Sequence, residues 1–153
     1  MLQRKQTLWM LAALICALLT FKFAFYFGNM KVGLNGIAPL EVKAMPVFGV
    51  GSVSAGSGSI LILIVTVALI AGTLINIFNF SNRKKQFWIT IGLFILSLLN
   101  ILLYWWKSGV PPFESGNYSL GALLSLAIPV FLVIAARGIR KDEKLVKSAD
   151  RLR

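Results

Sequence analysis

The sequence predicts an all-α membrane protein of four transmembrane helices, with both termini on the same side, and three observations carry that reading. Four apolar windows of 17 to 22 residues recur along the 153-residue chain. Hydrophobic residues make up 58% of it, more than one water-surrounded core can enclose. The 16 Lys and Arg gather at helix ends, while the 5 Asp and Glu stay out of the apolar windows.

The windows are residues 8–27, 59–80, 87–106 and 120–136. At about 1.5 Å per residue, the first three reach roughly the 30 Å of a bilayer's hydrocarbon region. The fourth is shorter and draws on Tyr118 and Ser119 at one end and Gly138 and Ile139 at the other. Helices are expected because lipid offers the backbone no hydrogen-bond partner, and the runs lack the sustained alternation of barrel strands. The start, MLQRK and then TLWMLAALICALLTF, has the charge and apolar stretch of a secretory signal. It lacks a small-residue cleavage site, so the first helix is expected to remain. One domain, residues 1–153, accounts for the chain, with outer loops at 28–58 and 107–119, a cytoplasmic turn at 81–86 and a cytoplasmic tail at 137–153.

Orientation follows from the cations. Arg4 and Lys5, then Arg83, Lys84 and Lys85, then Arg137, Arg140, Lys141, Lys144, Lys147, Arg151 and Arg153 all fall on one side. Lys31, Lys43 and Lys107 fall on the other, and Lys22 lies within a window. The positive-inside rule assigns the larger set to the cytoplasm. Phe25, Tyr26, Phe27, Tyr104, Trp105, Trp106 and Tyr118 would form an outer aromatic belt, and Phe80, Phe87 and Trp88 an inner one.

The first outer loop has seven glycines and two prolines, with alternating runs in LEVKAMPVFGVGSVSA. Either a small β-hairpin on the outer surface or a Gly/Ser linker fits it. The second outer loop, with Pro111 and Pro112 in tandem, is expected to be irregular.

Composition excludes several chemistries. The chain has no histidine, and no Asp or Glu falls in any window, so neither a hydrolase's base nor a proton carrier's mid-membrane acid is at hand. The single thiol, Cys16, can close no intrachain disulfide and reads as apolar filler. No phosphate loop or ligand cluster occurs, so no catalysis, cofactor or metal is expected. The net charge of +11 would suggest nucleic acid in a soluble protein, but its position at helix ends explains it as topology.

A few polar residues stand out against the apolar background. Lys22 lies near enough to the outer boundary to snorkel, the alternative being contact with Glu41 or Glu114. Asn76 and Asn79 share a helix face with Ala68 and Gly72, and Asn100 shares one with Ser97 and Tyr104. Small residues let helices approach, and the amides can bond across them, so packing is the expected role of Asn76, Asn79 and Asn100. Pro129 should bend the fourth helix.

The tail RGIRKDEKLVKSADRLR is expected to prolong the fourth helix, with Leu145, Ala149 and Leu152 on one stripe and Glu143 paired with Lys147. Its seven cations are interleaved with Asp142, Glu143 and Asp150, a mixture suited to a specific partner or to anionic headgroups.

The opening MLQRKQTLW and this tail resemble the two signature ends of a domain-of-unknown-function family of small four-helix inner-membrane proteins of Gram-negative bacteria. NRKKQ, residues 82–86, resembles that family's short turn, and Lys5 departs from the apolar residue expected there. The resemblance implies four helices over nearly the whole chain and an inner-membrane location, and it implies no activity. It directs attention to the ends that share one membrane face: Gln3, Arg4, Gln6 and Thr7; Arg83 and Gln86; Arg140, Asp142, Glu143, Ser148, Asp150 and Arg151. Candidate docking residues are therefore Arg4, Arg83, Arg137, Arg140, Lys141, Asp142, Glu143, Lys144, Lys147, Asp150 and Arg151. The expected function is non-enzymatic, an accessory or scaffold protein docking a protein partner or anionic lipid. The alternative is a small oligomeric carrier or channel for an uncharged solute, its path lined by Asn76, Asn100 and the Gly72 face.

Overall fold

The computed structural model describes residues 5–32, 36–42, 57–79, 82–109 and 115–150, with side chains within 6–27, 60–79, 82–109 and 116–143. Among them are four helices: α1 (Lys5–Leu19), α2 (Ser57–Phe78), α3 (Arg83–Gly109) and α4 (Leu120–Asp150). α1 packs on α2 and α4, and α3 packs on α2 and α4, closing a ring in which sequence neighbours touch and the first helix meets the last. Each helix runs antiparallel to the next. Asn76 near the end of α2 bonds Thr90 near the start of α3, whereas Thr66 pairs with Asn100 at the other end.

Three helices, Ile60–Phe78, Arg83–Gly109 and Leu120–Glu143, are long and apolar enough to cross a membrane. The first window behaves differently from the expected helix over 8–27. α1 has 15 residues, about 22 Å, and stops at Leu19. The chain then turns through residues 20–24 and becomes strand β1 (Tyr26–Val32). Lys22 is exposed in this turn, outside any helix. Of the alternating Phe21, Phe23, Phe25 and Phe27 only Phe27 lies in β1; the other three precede it, and Phe25 is buried whereas Phe27 is exposed.

Non-helical backbone buried away from water must be bonded within the protein. Thr20 N–H donates to Cys16 C=O, Phe23 N–H to Leu19 C=O, and the carbonyls of Ala24 and Phe25 accept from Gly121 and Ser119 at 3.1 Å each. The start of α4 can come this close because Gly121 has no Cβ. A methyl there would stand 2.7 Å from the Phe23 carbonyl oxygen and closer still to that of Ala24.

β1 pairs antiparallel with β2 (Gly36–Val42), Tyr26 opposite Val42 and Val32 opposite Gly36. The hairpin expected in the first outer loop is thus present, but it is built from earlier residues than the LEVKAMPVFGVGSVSA run, of which 43–55 lie outside the described residues. Pro39 falls in β2, an edge strand, where a missing N–H is tolerated. On the other side of β1 lies β3 (Ser115–Tyr118), giving the order β2-β1-β3. The second outer loop is therefore not irregular throughout: α3 continues to Gly109 and β3 occupies its end.

The interior is layered. At the sheet end Phe25, Ile62, Tyr104 and Ala122 pack together, with Phe25 and Tyr104 stacked at 4.6 Å. At mid-height Ala13, Ala17, Leu69, Leu93, Ile128 and Leu132, from all four helices, form an apolar core. Phe25 and Tyr104 are thus buried rather than part of a belt, while Phe27, Trp105, Trp106 and Tyr118 are exposed.

Gly121→Ala should lower resistance to graded SDS in mixed micelles by about 1–3 kcal/mol, since backbone must move to admit the methyl. Gly92→Ala, with nothing within 4 Å of the new methyl, should leave it unchanged or raise it by up to about 1 kcal/mol.

Candidate functional site at the basic end of the bundle

α3 buries a polar face. Its buried residues are Gln86, Thr90, Leu93, Ser97, Asn100, Tyr104 and Ser108, and Leu93 alone among them carries no polar atom. From Gln86 to Tyr104 their spacing of four and three repeats every seven residues, the period of a helix packed along a neighbour. Outside, Trp88, Ile95, Leu98, Leu102, Trp105 and Trp106 are exposed. This is the reverse of a soluble helix, and it follows when the surrounding medium is apolar and bonding partners exist only inside.

Most hydroxyls on the inner faces are satisfied within their own helix. Thr66 donates to the Ile62 carbonyl at 2.8 Å, Thr90 to Gln86 at 2.7 Å, Ser97 to Phe94 at 2.7 Å and Ser125 to Gly121 at 2.8 Å. Thr73 donates likewise to Leu69. Spent in this way, a hydroxyl gives a neighbouring helix a small, smooth surface.

The amides bridge helices. Asn76, fully buried, donates from Nδ2 to Thr90 Oγ1 at 2.8 Å and lies 3.4 Å from Met10 Sδ. Gln86 returns a bond from Nε2 to the Asn76 backbone oxygen at 3.3 Å. Asn100 donates to Thr66 Oγ1 at 3.3 Å. The packing role expected of Asn76 and Asn100 thus has direct contacts behind it. Asn79 stands apart: it follows the end of α2, and its backbone N–H bonds Ile75 and Asn76. The buried stripe of α2 is Ile62, Thr66, Leu69, Thr73 and Asn76, rotated from the expected one, so that Ala68 is exposed and Gly72 half-buried against Leu93.

Three amide oxygens, Gln6 Oε1, Asn76 Oδ1 and Gln86 Oε1, are buried without a partner among the described residues. Each stands near the basic end of its helix. At the sheet end the Tyr104 hydroxyl faces Thr20 and Thr66 without hydrogen-bond geometry.

The basic end also brings together the segments singled out in the sequence. Arg83, at the start of α3, donates from its guanidinium to the Asp142 backbone oxygen at 3.0 Å. Arg140 stacks over the Phe87 ring at 4.5 Å. Gln6 of α1 lies against Gly138, its Cβ 3.1 Å from where a Gly138 Cβ would stand. The starts of α1 and α3 and the prolonged α4 thereby meet. Arg137 and Lys141 are exposed, and Asp142 and Glu143 half-buried. Lys144, Lys147 and Asp150 belong to α4 as backbone alone, while Arg4 and Arg151 lie outside the described residues. The Leu145 and Ala149 stripe and the Lys147 partner of Glu143 likewise have no described side chains, and Leu152 is outside. Among the described residues no three of His, Cys, Asp and Glu gather as metal ligands would.

Sequence reasoning passed over Gln6, Thr66, Thr73, Gln86 and Thr90 as packing residues. The signal was available for α3, where polar residues recur at three- and four-residue intervals through an otherwise apolar helix.

An apolar exterior, polar layers toward both ends and a clasped basic end define a small four-helix bundle, three of whose helices are long and apolar enough to cross a membrane. The chain belongs to the family described as Domain of unknown function (DUF4293), which matches residues 2–152. Comparison with curated proteins and with solved structures finds no match.

If the Asn76–Thr90 bond joins α2 to α3, a cycle of Asn76→Ala, Thr90→Val and the double variant should give a coupling of about 0.6–2 kcal/mol in SDS titration. A coupling near zero would remove the bond from the account.

Proposed function

We propose that this is a multi-pass protein of a bacterial inner membrane, both termini cytoplasmic, acting as a non-enzymatic accessory or scaffold whose cytoplasmic face docks a protein partner or anionic headgroups. The observation that carries the reading is the clasp at the basic end. α4 runs on to Asp150, and Arg83 and Arg140 hold its extension against the first turns of α3. A tail fixed in place loses less freedom on binding than a loose one, which favours a docking surface over a mere topological anchor. The cation bias between the two sides supports the orientation. The lack of any histidine and of acids in the apolar windows supports a non-enzymatic role.

The alternative, an oligomeric carrier for an uncharged solute, draws on the buried polar stripe of α3. The apolar layer around Leu93 interrupts that stripe between Thr90 and Ser97, and the hydroxyls already bond their own helices, so a single chain offers no continuous polar path.

A reporter fused after Arg153 should be active in the cytoplasm, and activity outside would reverse the orientation. Removal of residues 144–153 should strip partners from crosslinked native membranes while the protein still inserts. An unchanged set of partners would sink the docking reading. Vesicles containing the purified protein should show no solute flux above protein-free vesicles, and a reproducible flux would favour the carrier.

A further inference from the structure

Between α3 and α4 a surface groove descends from the basic end. Two adjoining cavities of about 220 and 270 Å³ compose it, sharing Phe94, Val133 and Arg137. The first is walled at its mouth by Phe87 and Arg140, and the second reaches down to Pro129. The α4 wall from Pro129 to Arg140 is about 16 Å long, close to the roughly 15 Å of one leaflet of a bilayer core. The floor is apolar, the mouth carries two guanidinium groups, and no Asp or Glu lines either cavity.

We infer that this groove is a binding site for one anionic glycerophospholipid of the cytoplasmic leaflet, an acyl chain lying along Phe94 and Val133 and the phosphate held by Arg137 and Arg140. The inference rests on the orientation proposed above and names a specific lipid-binding element of that face. Length and charge select the occupant together. The groove is as deep as one leaflet, which suits an acyl chain, and its cations stand at the end where a headgroup would be. Arg137 and Arg140, three residues apart on α4, project on one face. The Arg140 guanidinium carbon lies over the Phe87 ring, 4.5 Å from its centroid, a contact that limits the freedom lost on binding. A zwitterionic headgroup would return part of this attraction through its own cation.

At about fivefold per arginine, two should give roughly a 30-fold preference for an anionic over a zwitterionic lipid. The full chain, purified in mild detergent, would be offered equal amounts of phosphatidylglycerol and phosphatidylethanolamine, and retained lipid counted by native mass spectrometry. The expected result is strong retention of phosphatidylglycerol, falling to near parity in the double variant Arg137→Gln, Arg140→Gln. Lys84→Gln with Lys85→Gln, which removes the same charge from outside the groove, should keep the preference. Val133→Trp, which fills the groove and leaves both arginines, should reduce retention of both lipids. Parity in the unaltered protein, equal loss with the Lys84 and Lys85 pair, or full retention in Val133→Trp would each overturn the site. All these variants retain residues 144–153 and are read without any protein partner. Loss of the lipid site and failure of partner docking therefore give separate results.

Discussion

Surroundings that cannot hydrogen-bond, as lipid cannot, impose the constraint that accounts for most of this molecule. It explains why α3 turns Gln86, Thr90, Ser97, Asn100, Tyr104 and Ser108 inward while Trp88, Leu102 and Trp105 face out. It explains the threonines and serines that bond back to their own helices, and the amides that reach across to another. It also governs residues 20–25, where the chain leaves the helix and the carbonyls of Ala24 and Phe25 accept bonds from Gly121 and Ser119. A soluble protein could leave such groups to water, which apolar surroundings do not supply.

The layers that result differ in what they can do. The central layer of Ala13, Ala17, Leu69, Leu93, Ile128 and Leu132 is dry packing and joins all four helices. The sheet end is aromatic, with Tyr118 set edge-on to both Phe25 and Tyr26. Polar groups gather at the opposite end, where amide oxygens without a partner among the described residues, arginines and the prolonged α4 meet within about two turns of helix. That asymmetry is the physical basis for assigning function to the basic end rather than to the bundle's middle.

Much of this was legible in the sequence because long apolar runs between charged ends have few alternatives. The windows at 59–80, 87–106 and 120–136 correspond to α2, α3 and α4, and the charge-rich run after Arg137 does continue as helix. Asn76 and Asn100 could be picked out because an amide in an apolar helix needs a partner. The first window was misread because apolarity does not distinguish a helix from a buried turn running into a strand. The stripe of α2 was misplaced for another reason. Gly72 and Ala68 drew attention as small residues, whereas the partners that fix rotation, Asn100 and Thr90, belong to a different helix and cannot be read from α2 itself. The clasp of Arg83 on Asp142 was hidden too, since it joins a side chain to a backbone oxygen and leaves no charge pattern.

The ring of helices sets an order of completion. α1 is synthesised first, yet the groups that cover the carbonyls of Ala24 and Phe25 belong to Ser119 and Gly121, and the middle strand β1 waits for β3 from the same late stretch. Until α4 emerges, the segment after α1 carries bare carbonyls and an open sheet edge, so a nascent chain stalled before Ser119 holds its first helix without the contacts that close the ring.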